Sequence, residues 1–574
     1  MTVSEQYVDE DQIGGPGIDP ERLEVCLGVI AELDALPVDH PDAIRVRRAT
    51  AQLYKTVKLR RRKDRRDEIA TADRAVINAT ATGAPDRIDD ETRGVALRAT
   101  AAAPLAGVLR RARPCYICKE PYTEVDAFYH QLCPSCAALN RDRRDARTDL
   151  TGRRALLTGG RAKIGLYIAL RLLRDGAHTT ITTRFPNDAI RRFSSMPDSE
   201  RWLHRLRIVG IDLRDPHQVV ELADSVAAQG PLDILINNAA QTVRRTNTAY
   251  AQLVAAESST PPPGPVDVLV LGGPAVDPTA LPSGRPAPGA LTPHAITALA
   301  LTTGSATPDR IAAGTAIDAG GLVPDLVDSN SWVQHVHEVD PLELLEVQLC
   351  NVTAPFVLVS RLRPAMAAAA ARRKYVVNVS AMEGQFGRGY KGPGHPHTNM
   401  AKAALNMLTR TSALEMLETD GILMTSVDTG WITDERPHPT KMRLAAEGFK
   451  APLDLVDGAA RVYDPIVRGE AGEDVCGCFL RTTPARPGSP PASPAEPRRS
   501  AVTGAGQDRP RLPHLRAQRV VGVRPVPAPA RSGCSSRAWR TASRSRRSPG
   551  ASSRRSRAVR GRSLGPGAGG RAAP

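Results

Sequence analysis

The sequence predicts an α/β protein whose main domain is a doubly wound parallel sheet, and three observations carry that expectation. A short apolar run, Ala155 to Leu157, feeds the turn Thr158-Gly159-Gly160 and then an amphipathic segment, LYIALRLLRDGA. Downstream, strand-like and helix-like patterns alternate, as HTTITTRFP, RLRIVGIDLRD, VVELADSVAAQG and LDILINNAA. Such alternation builds right-handed βαβ units on a parallel sheet. Finally, the glycine turn stands where a strand hands over to a helix N-terminus. Converging backbone N–H groups and the helix dipole make that a seat for a pyrophosphate.

Ahead of this domain, residues 1–20 are polar and acidic and read as disordered. Residues 21–79 read as a helical region: LEVCLGVIAELDAL, then a long segment opened by Pro41 and Asp42, with proline in the first turn. The basic run Lys58–Arg66 has Asp64, Asp67 and Glu68 beside it and reads as a solvated helix face rather than a nucleic-acid contact. Residues 80–110 read as a linker. Residues 111–148 carry Cys115, Cys118, Cys133 and Cys136, two CxxC pairs separated by 14 residues. Each pair sets two thiolates on one tight knuckle, and four soft sulfurs suit a structural Zn²⁺. Redox pairs or buried thiols are the alternative, and His130 is an alternative ligand. Four protein ligands leave no open position, so the module is expected to be structural or an interaction surface.

The sheet domain spans 149–480, interrupted at about 241–340 by a Pro- and Gly-rich insertion. It resumes with LELLEVQLCNVTAPFVLVSRLRPAM (helix), KYVVNVSAMEG (strand), TNMAKAALNMLTRTSALEML (helix) and GILMTSVDTGWITDE (strand and loop). Residues 481–574 are rich in Pro, Arg and Ser and read as a disordered tail. From Pro484 onward there are 20 Arg, no Lys, one Glu and one Asp, a charge of +18 against +16 for the whole chain, so residues 1–483 carry −2. The basicity belongs to the tail, and no specific nucleic-acid partner is expected. Arginine without lysine also suggests GC-rich DNA read out of frame, which resequencing around codon 480 tests. The start of the chain has no signal-peptide pattern. No apolar run reaches the ~18–20 residues of a membrane span. Nine cysteines, four of them in the CxxC pairs, fit a reducing compartment. No membrane partner is expected, and the location expected is cytoplasmic.

The order TGGRAKIG, DL, NNAA, an Asn on a helix, NVSAMEG, NMAK and DTGWIT resembles the short-chain dehydrogenase/reductase superfamily over residues 149–480 apart from the insertion. HPHTNMAKAALNMLTRTSA is similar to an uncharacterised branch with HTNMAK in place of YxxxK. The resemblance implies a Rossmann-like fold and an oxidoreductase that moves hydride between NADP(H) and a carbonyl or alcohol. Thr158, Gly159, Gly160, Ile164 and Gly165 would form the cofactor turn, with Lys163 where the family has a glycine. Asp212 and Leu213 would border the adenine, Asn238 and Ala239 the cofactor floor, and Thr429, Gly430 and Thr433 the nicotinamide. About 20 residues past the turn, Arg184 offers a guanidinium fork to a 2′-phosphate, with Arg161 beside it, so NADP(H) is favoured over NAD(H).

The expected catalytic set is Asn351, Ser380, His397, Thr398 and Lys402, and it departs from the family at two points. In NVSAMEG, Ala381 stands where the family has a second Ser, leaving only Ser380. Four residues before Lys402 stands Thr398, not tyrosine, and an aliphatic hydroxyl is a far weaker acid than a phenol. His397 or His395 would replace the phenol, since imidazole titrates near neutrality. Tyr390 would do so by folding back. Failing both, the domain is a catalytically silent dinucleotide sensor or scaffold that uses its zinc module for partner binding. The resemblance also implies a small-molecule substrate and homo-oligomers formed through the helices that carry Asn351 and Lys402.

Overall fold

Why a cleft forms where the glycine turn lies follows from the order of the strands. The computed structural model describes residues 17–85, 87, 104–261, 263–272, 308–314, 316–324, 326–387, 391–433 and 435–481, all within the unit Met1–Pro491. The expected disorder of residues 1–16 and 482–574, linker residues 86 and 88–103, and Tyr390 lie outside them.

The chain opens with α1 (Pro20–Glu32) and α2 (Pro41–Asn78), and the basic run of α2 is exposed. An antiparallel hairpin follows, β1 (Leu105–Pro114) and β2 (Pro121–Asp126), then α3 (Pro134–Asp145). The hairpin therefore begins six residues before the expected start of the cysteine module. Thr80, Ala81 and Thr82, expected in the linker, are buried against it, with Ala81 N–H donating to the Ala127 carbonyl at 3.1 Å.

The main sheet starts with β3 (Arg154–Leu157), α4 (Lys163–Arg174), β4 (His178–Thr183), α5 (Pro186–Ser194), β5 (Leu206–Gly210), α6 (Pro216–Ala228) and β6 (Ile234–Asn237). In the insertion, α7 (Asn247–Glu257) packs on α5, and β7 (Asp267–Val270) adds a parallel edge strand beside β5. The described part of this segment thus extends the domain as well as interrupting it, because DVLV finds open backbone donors and acceptors at the sheet edge.

After α8 (Pro308–Ala312), α9 (Pro341–Gln348) runs through a π-turn, Leu349–Thr353, into α10 (Ala354–Ala367). By length and composition Pro341–Ala367 is apolar enough to cross a membrane, contrary to the expectation that no run would reach that length. In this fold its Val347, Leu358, Leu362 and Met366 are buried, and α10 packs on α6. The described residues close with β8 (Lys374–Ser380), α11 (Pro396–Asp420), β9 (Ile422–Asp428), α12 (His438–Ala446), α13 (Leu455–Glu470) and β10 (Phe479–Leu480).

Eight parallel strands stand in the order β10-β9-β8-β6-β3-β4-β5-β7. The chain lays down β3, β4 and β5 to one side and then returns to build β6, β8 and β9 on the other. The point of reversal lies between β3 and β6. At such a switch point the crossover helices leave in opposite directions, and a crevice opens at the strands' carboxyl ends. Every residue of β8 and of β9 is buried, as expected of parallel strands covered by helices on both faces.

Candidate functional site

Leu157 ends β3, and the chain turns through Thr158-Gly159-Gly160 into α4. Both neighbouring strands fix the turn. Thr158 Oγ1 accepts from the N–H groups of Asn238 and Ala239 at 3.0 Å each, and Asn238 Nδ2 donates to the Thr158 and Gly159 carbonyls. On the other side Thr182 Oγ1 accepts from Gly159 N–H at 3.0 Å. Gly159 sits at φ +70°, and a Cβ on Gly165 would fall 1.9 Å from the Gly159 carbonyl oxygen. Backbone would have to move to admit it. Gly165→Ala is therefore expected to push the start of α4 off the turn. Stability should fall by about 1–3 kcal/mol, as in overpacked cores, measured by urea denaturation.

Lys163 holds a left-handed backbone, φ +52°, at the position where the family has glycine. Such a conformation costs a side-chain-bearing residue roughly 1–2 kcal/mol. Its ammonium lies 3.1 Å from Glu435 Oε1, and Arg245 Nη2 lies 2.9 Å from Glu435 Oε2. Burial alone would raise the Glu435 carboxyl, but Lys163, Arg245 and Lys441 outweigh it and hold it at about 2.

The two arginines expected at a 2′-phosphate part company. Arg161 is committed to the fold: Nη1 pairs with the buried Asp188 at 2.5 Å, and Nη2 donates to the Gly320 carbonyl at 2.8 Å. Asp188 is shared with the fully buried Arg192. Arg161 lines the same cavity as Arg184, with its guanidinium already paired to Asp188. Arg184 lies against the rings of Phe185 and Tyr250, its carbon 5.7 and 5.2 Å from their centroids, and Nη2 donates to the Tyr250 hydroxyl at 3.2 Å. With Thr183, Asp212 and Leu213 it lines one end of a cavity of about 1210 Å³. The Asp212 carboxylate is gripped by Arg214 at 2.6 Å.

At the other end of that cavity the same wall holds Asn351, Ser380, Thr398, Lys402, Thr429, Gly430 and Thr433. Asn351 sits in the π-turn of Leu349–Thr353. Its Oδ1 accepts from Gln241 N–H at 2.7 Å, and its Nδ2 donates to the Gln241 carbonyl at 2.9 Å. Ser380 Oγ donates to the Lys402 carbonyl at 3.2 Å, and Lys402 Nζ to the Val379 carbonyl at 2.8 Å. Burial lowers the Lys402 ammonium to about 8. Thr398 Oγ1 is occupied by the His395 carbonyl at 3.0 Å, within the first turn of α11.

The two histidines exchange roles relative to expectation. His397 is buried outside the cavity wall, with Nε2 4.0 Å from Glu343 and no hydrogen bond at either ring nitrogen. Helix periodicity explains this, because the residue adjacent to one on the cavity face points about 100° away. His395 lines the cavity. Its backbone is left-handed, φ +43°, its ring stacks on Trp332 at 4.1 Å and 10°, and Nδ1 lies 2.9 Å from the Trp332 carbonyl. That carbonyl accepts, so Nδ1 carries the hydrogen and Nε2 is the nitrogen left for chemistry. Burial lowers its pKa below the ordinary value.

Sequence reasoning missed Tyr116 and Arg461, and expected pocket-lining residues in the insertion and in the loop after Thr429 without singling out Trp332 and Glu435; all four lie in the same wall. Trp332 and Glu435 come from stretches without a motif. Tyr116 comes from the cysteine module, far away in sequence.

In that module the four Sγ atoms of Cys115, Cys118, Cys133 and Cys136 lie within 4.8 Å of one another. Cys118 and Cys133 are 3.7 Å apart, close to the edge of about 3.8 Å that four 2.3 Å zinc–sulfur bonds give a regular tetrahedron. Cys133 N–H also donates to Cys115 Sγ at 3.3 Å. His130 does not join the cluster. Its ring nitrogens lie 2.8 Å from Thr82 Oγ1 and 3.0 Å from Gln131 Nε2, and burial holds it at about 3.

The model of the short chain dehydrogenase family matches residues 153–257. Uncharacterized protein R665 of Acanthamoeba polyphaga mimivirus is 30% identical over 369 residues, which are 62% of this chain and 71% of that protein. A "Probable oxidoreductase" of Streptomyces antibioticus is 38% identical over 91 residues, 16% of this chain and 30% of the relative. Among solved structures, a gluconate 5-dehydrogenase from Burkholderia cenocepacia J2315 in complex with NADP and tartrate is 18% identical, with a TM-score of 0.36, covering 60% of this chain and 96% of that one.

Proposed function

The chain belongs to the short-chain dehydrogenase/reductase superfamily, and we propose that it is an NADP(H)-dependent oxidoreductase acting on a small alcohol or carbonyl, with His395 standing in for the missing phenol. One observation carries this reading. The glycine turn, Arg184, Asn351, Ser380, Lys402 and His395 all open on a single cavity at the switch point of the sheet. The matched relatives named as oxidoreductases favour the same reaction class.

The cavity suits a dinucleotide by the chemistry of its walls. The N-terminal turn of α4 faces a diphosphate, Arg184 a 2′-phosphate, and the buried Asn238 Oδ1 has no hydrogen-bond partner of its own. When bound, NADP⁺ supplies the hydride acceptor for the carbinol carbon. His395 Nε2 takes the hydroxyl proton as that hydride leaves, while Nδ1–H stays on the Trp332 carbonyl and fixes the tautomer. Ser380 and Lys402, in the same cavity, orient the oxygen and the ribose. The lowered pKa of His395 keeps its imidazole neutral near pH 7. Alcohol oxidation is thus expected to rise with pH through a value below about 6.5 and then to level off.

The four-sulfur cluster fits Zn²⁺, which would be held by Cys115, Cys118, Cys133 and Cys136 and would brace the module.

The test is NADPH turnover against a panel of carbonyls. His395→Gln is expected to lose at least a hundredfold in turnover and to keep its NADPH affinity. Arg184→Ala is expected to lower the preference for NADP⁺ over NAD⁺ by roughly ten- to a hundredfold, the worth of one charge-assisted contact. Binding without turnover on any carbonyl would favour a catalytically silent sensor, which the occupied hydroxyl of Thr398 also fits.

A further inference from the structure

We propose that the cysteine module forms part of the wall at the nicotinamide end of the cavity, and that Tyr116 is a positioning residue through which the metal knuckle holds the Thr429–Trp431 loop. This inference rests on the reading of the cavity as a dinucleotide site. Tyr116 stands between Cys115 and Cys118, on the tight turn that the first CxxC pair makes. That turn is closed by Lys119 N–H donating to the Cys115 carbonyl at 3.0 Å and Cys115 N–H to the Glu120 carbonyl at 2.9 Å. From there Tyr116, Ile117 and Lys119 reach the cavity wall, beside Asp428, Gly430 and Trp431.

The Tyr116 hydroxyl oxygen accepts from Trp431 N–H at 2.9 Å, across 315 residues of sequence. One residue earlier, Gly430, at φ +76°, donates its N–H to Asp428 Oδ1 at 3.1 Å. These two bonds fix the loop's direction as it leaves β9. Asp428 belongs to the sheet domain and Tyr116 to the knuckle. A half-buried Trp431 N–H without its acceptor would face a desolvation cost, so losing the phenol oxygen frees the loop to turn. The opposite end of the cavity, at Arg184 and Asp212, is lined from β4, the end of β5 and α7, and its described lining residues there come from outside the module. Metal in the knuckle therefore acts on one half of the dinucleotide only. Uniform loosening of the fold would weaken both halves.

The experiment compares two probes on the full chain. NADPH spans both ends of the cavity, while adenosine 2′,5′-bisphosphate reports on the Arg184 end alone. Tyr116→Phe is expected to retain its zinc, measured by atomic absorption, and its bisphosphate affinity, and to bind NADPH five- to tenfold more weakly. Chelating the metal from the unmutated protein is expected to give the same split, reversed when Zn²⁺ is restored. Unchanged NADPH affinity in both arms would overturn the proposal, and so would equal weakening of the two probes. If the unmutated protein binds bisphosphate but not NADPH, the nicotinamide-end assignment fails with the proposal. If it binds neither, the dinucleotide reading has failed first.

Discussion

Replacing Arg144 by alanine is expected to remove about 3–5 kcal/mol of stability, the usual cost of stripping one partner from a buried ion pair. Arg144 lies on α3 and is buried. Its Nη1 meets Asp454 Oδ1 at 2.7 Å and Asp457 Oδ1 at 2.8 Å, and its Nη2 meets Asp454 Oδ2 at 2.8 Å. The two aspartates form a reciprocal cap on α13, and both side chains are fully buried. Without the guanidinium, two carboxylates would remain in the interior with the Tyr129 hydroxyl, Asn140 Nδ2 and the cap's own backbone N–H groups as donors.

The pH dependence gives this prediction its signature. Burial and the neighbouring Asp454 already raise Asp457 to about 6, against an ordinary carboxyl near 3.9. A folded-state pKa above the unfolded value means that the folded protein binds more protons across that window, so this group's contribution falls as pH rises through it. Removing Arg144 extends the window upward. Urea denaturation should therefore show a larger deficit for Arg144→Ala at pH 8 than at pH 5. A deficit under about 1 kcal/mol, or one independent of pH, would contradict the account of how the cysteine module is joined to the sheet domain.

The second large effect is expected at Lys402. Its ammonium is buried with one carbonyl partner, Val379, and burial lowers it to about 8. Lys402→Met is expected to cost on the order of 10²–10⁴ in turnover, the range for a group in an acid–base constellation, and at the same time to raise stability at pH 7. Here the folded-state pKa lies below the unfolded value of about 10.4. The unfolded chain then binds more protons between about pH 8 and 10.4, so the stability of the unmutated protein rises with pH across that interval. The gap between variant and parent should narrow accordingly. Thermal melts at pH 7 and 10, beside NADPH turnover, check both halves. A variant less stable than its parent at pH 7 would contradict the buried charge, and one with full turnover the proposed role.

What was legible in the sequence was local. Thr158 to Gly165, Asn238 and Ala239, Ser380 and Lys402 each lie at a strand end or on the helix after it, so spacing alone brings them to the crevice of a doubly wound sheet. The sheet itself was readable from alternating runs, as the parallel order from β3 through β9 bears out. What spacing cannot convey is which of two neighbours faces inward after a turn of unknown shape. His395, just ahead of the helix in a left-handed conformation, enters the cavity, while helix periodicity turns His397 away from it. The pairing of Arg161 was hidden because its partner Asp188 lies on α5, 27 residues on. Helix α13 was hidden by Gly458 and Pro465 within it, residues that argue against a helix until tertiary packing on α4 and α3 overrides them. Tyr116 was invisible for the plainest reason: nothing local announces a contact 315 residues away.

Titration of the full-length protein with NADP⁺ and NAD⁺ by calorimetry tests the central claim most directly. A 1:1 complex with NADP⁺, at least tenfold tighter than with NAD⁺ and reduced toward the NAD⁺ value in Arg184→Ala, is the predicted result. An absence of binding to either dinucleotide at millimolar concentration would contradict it.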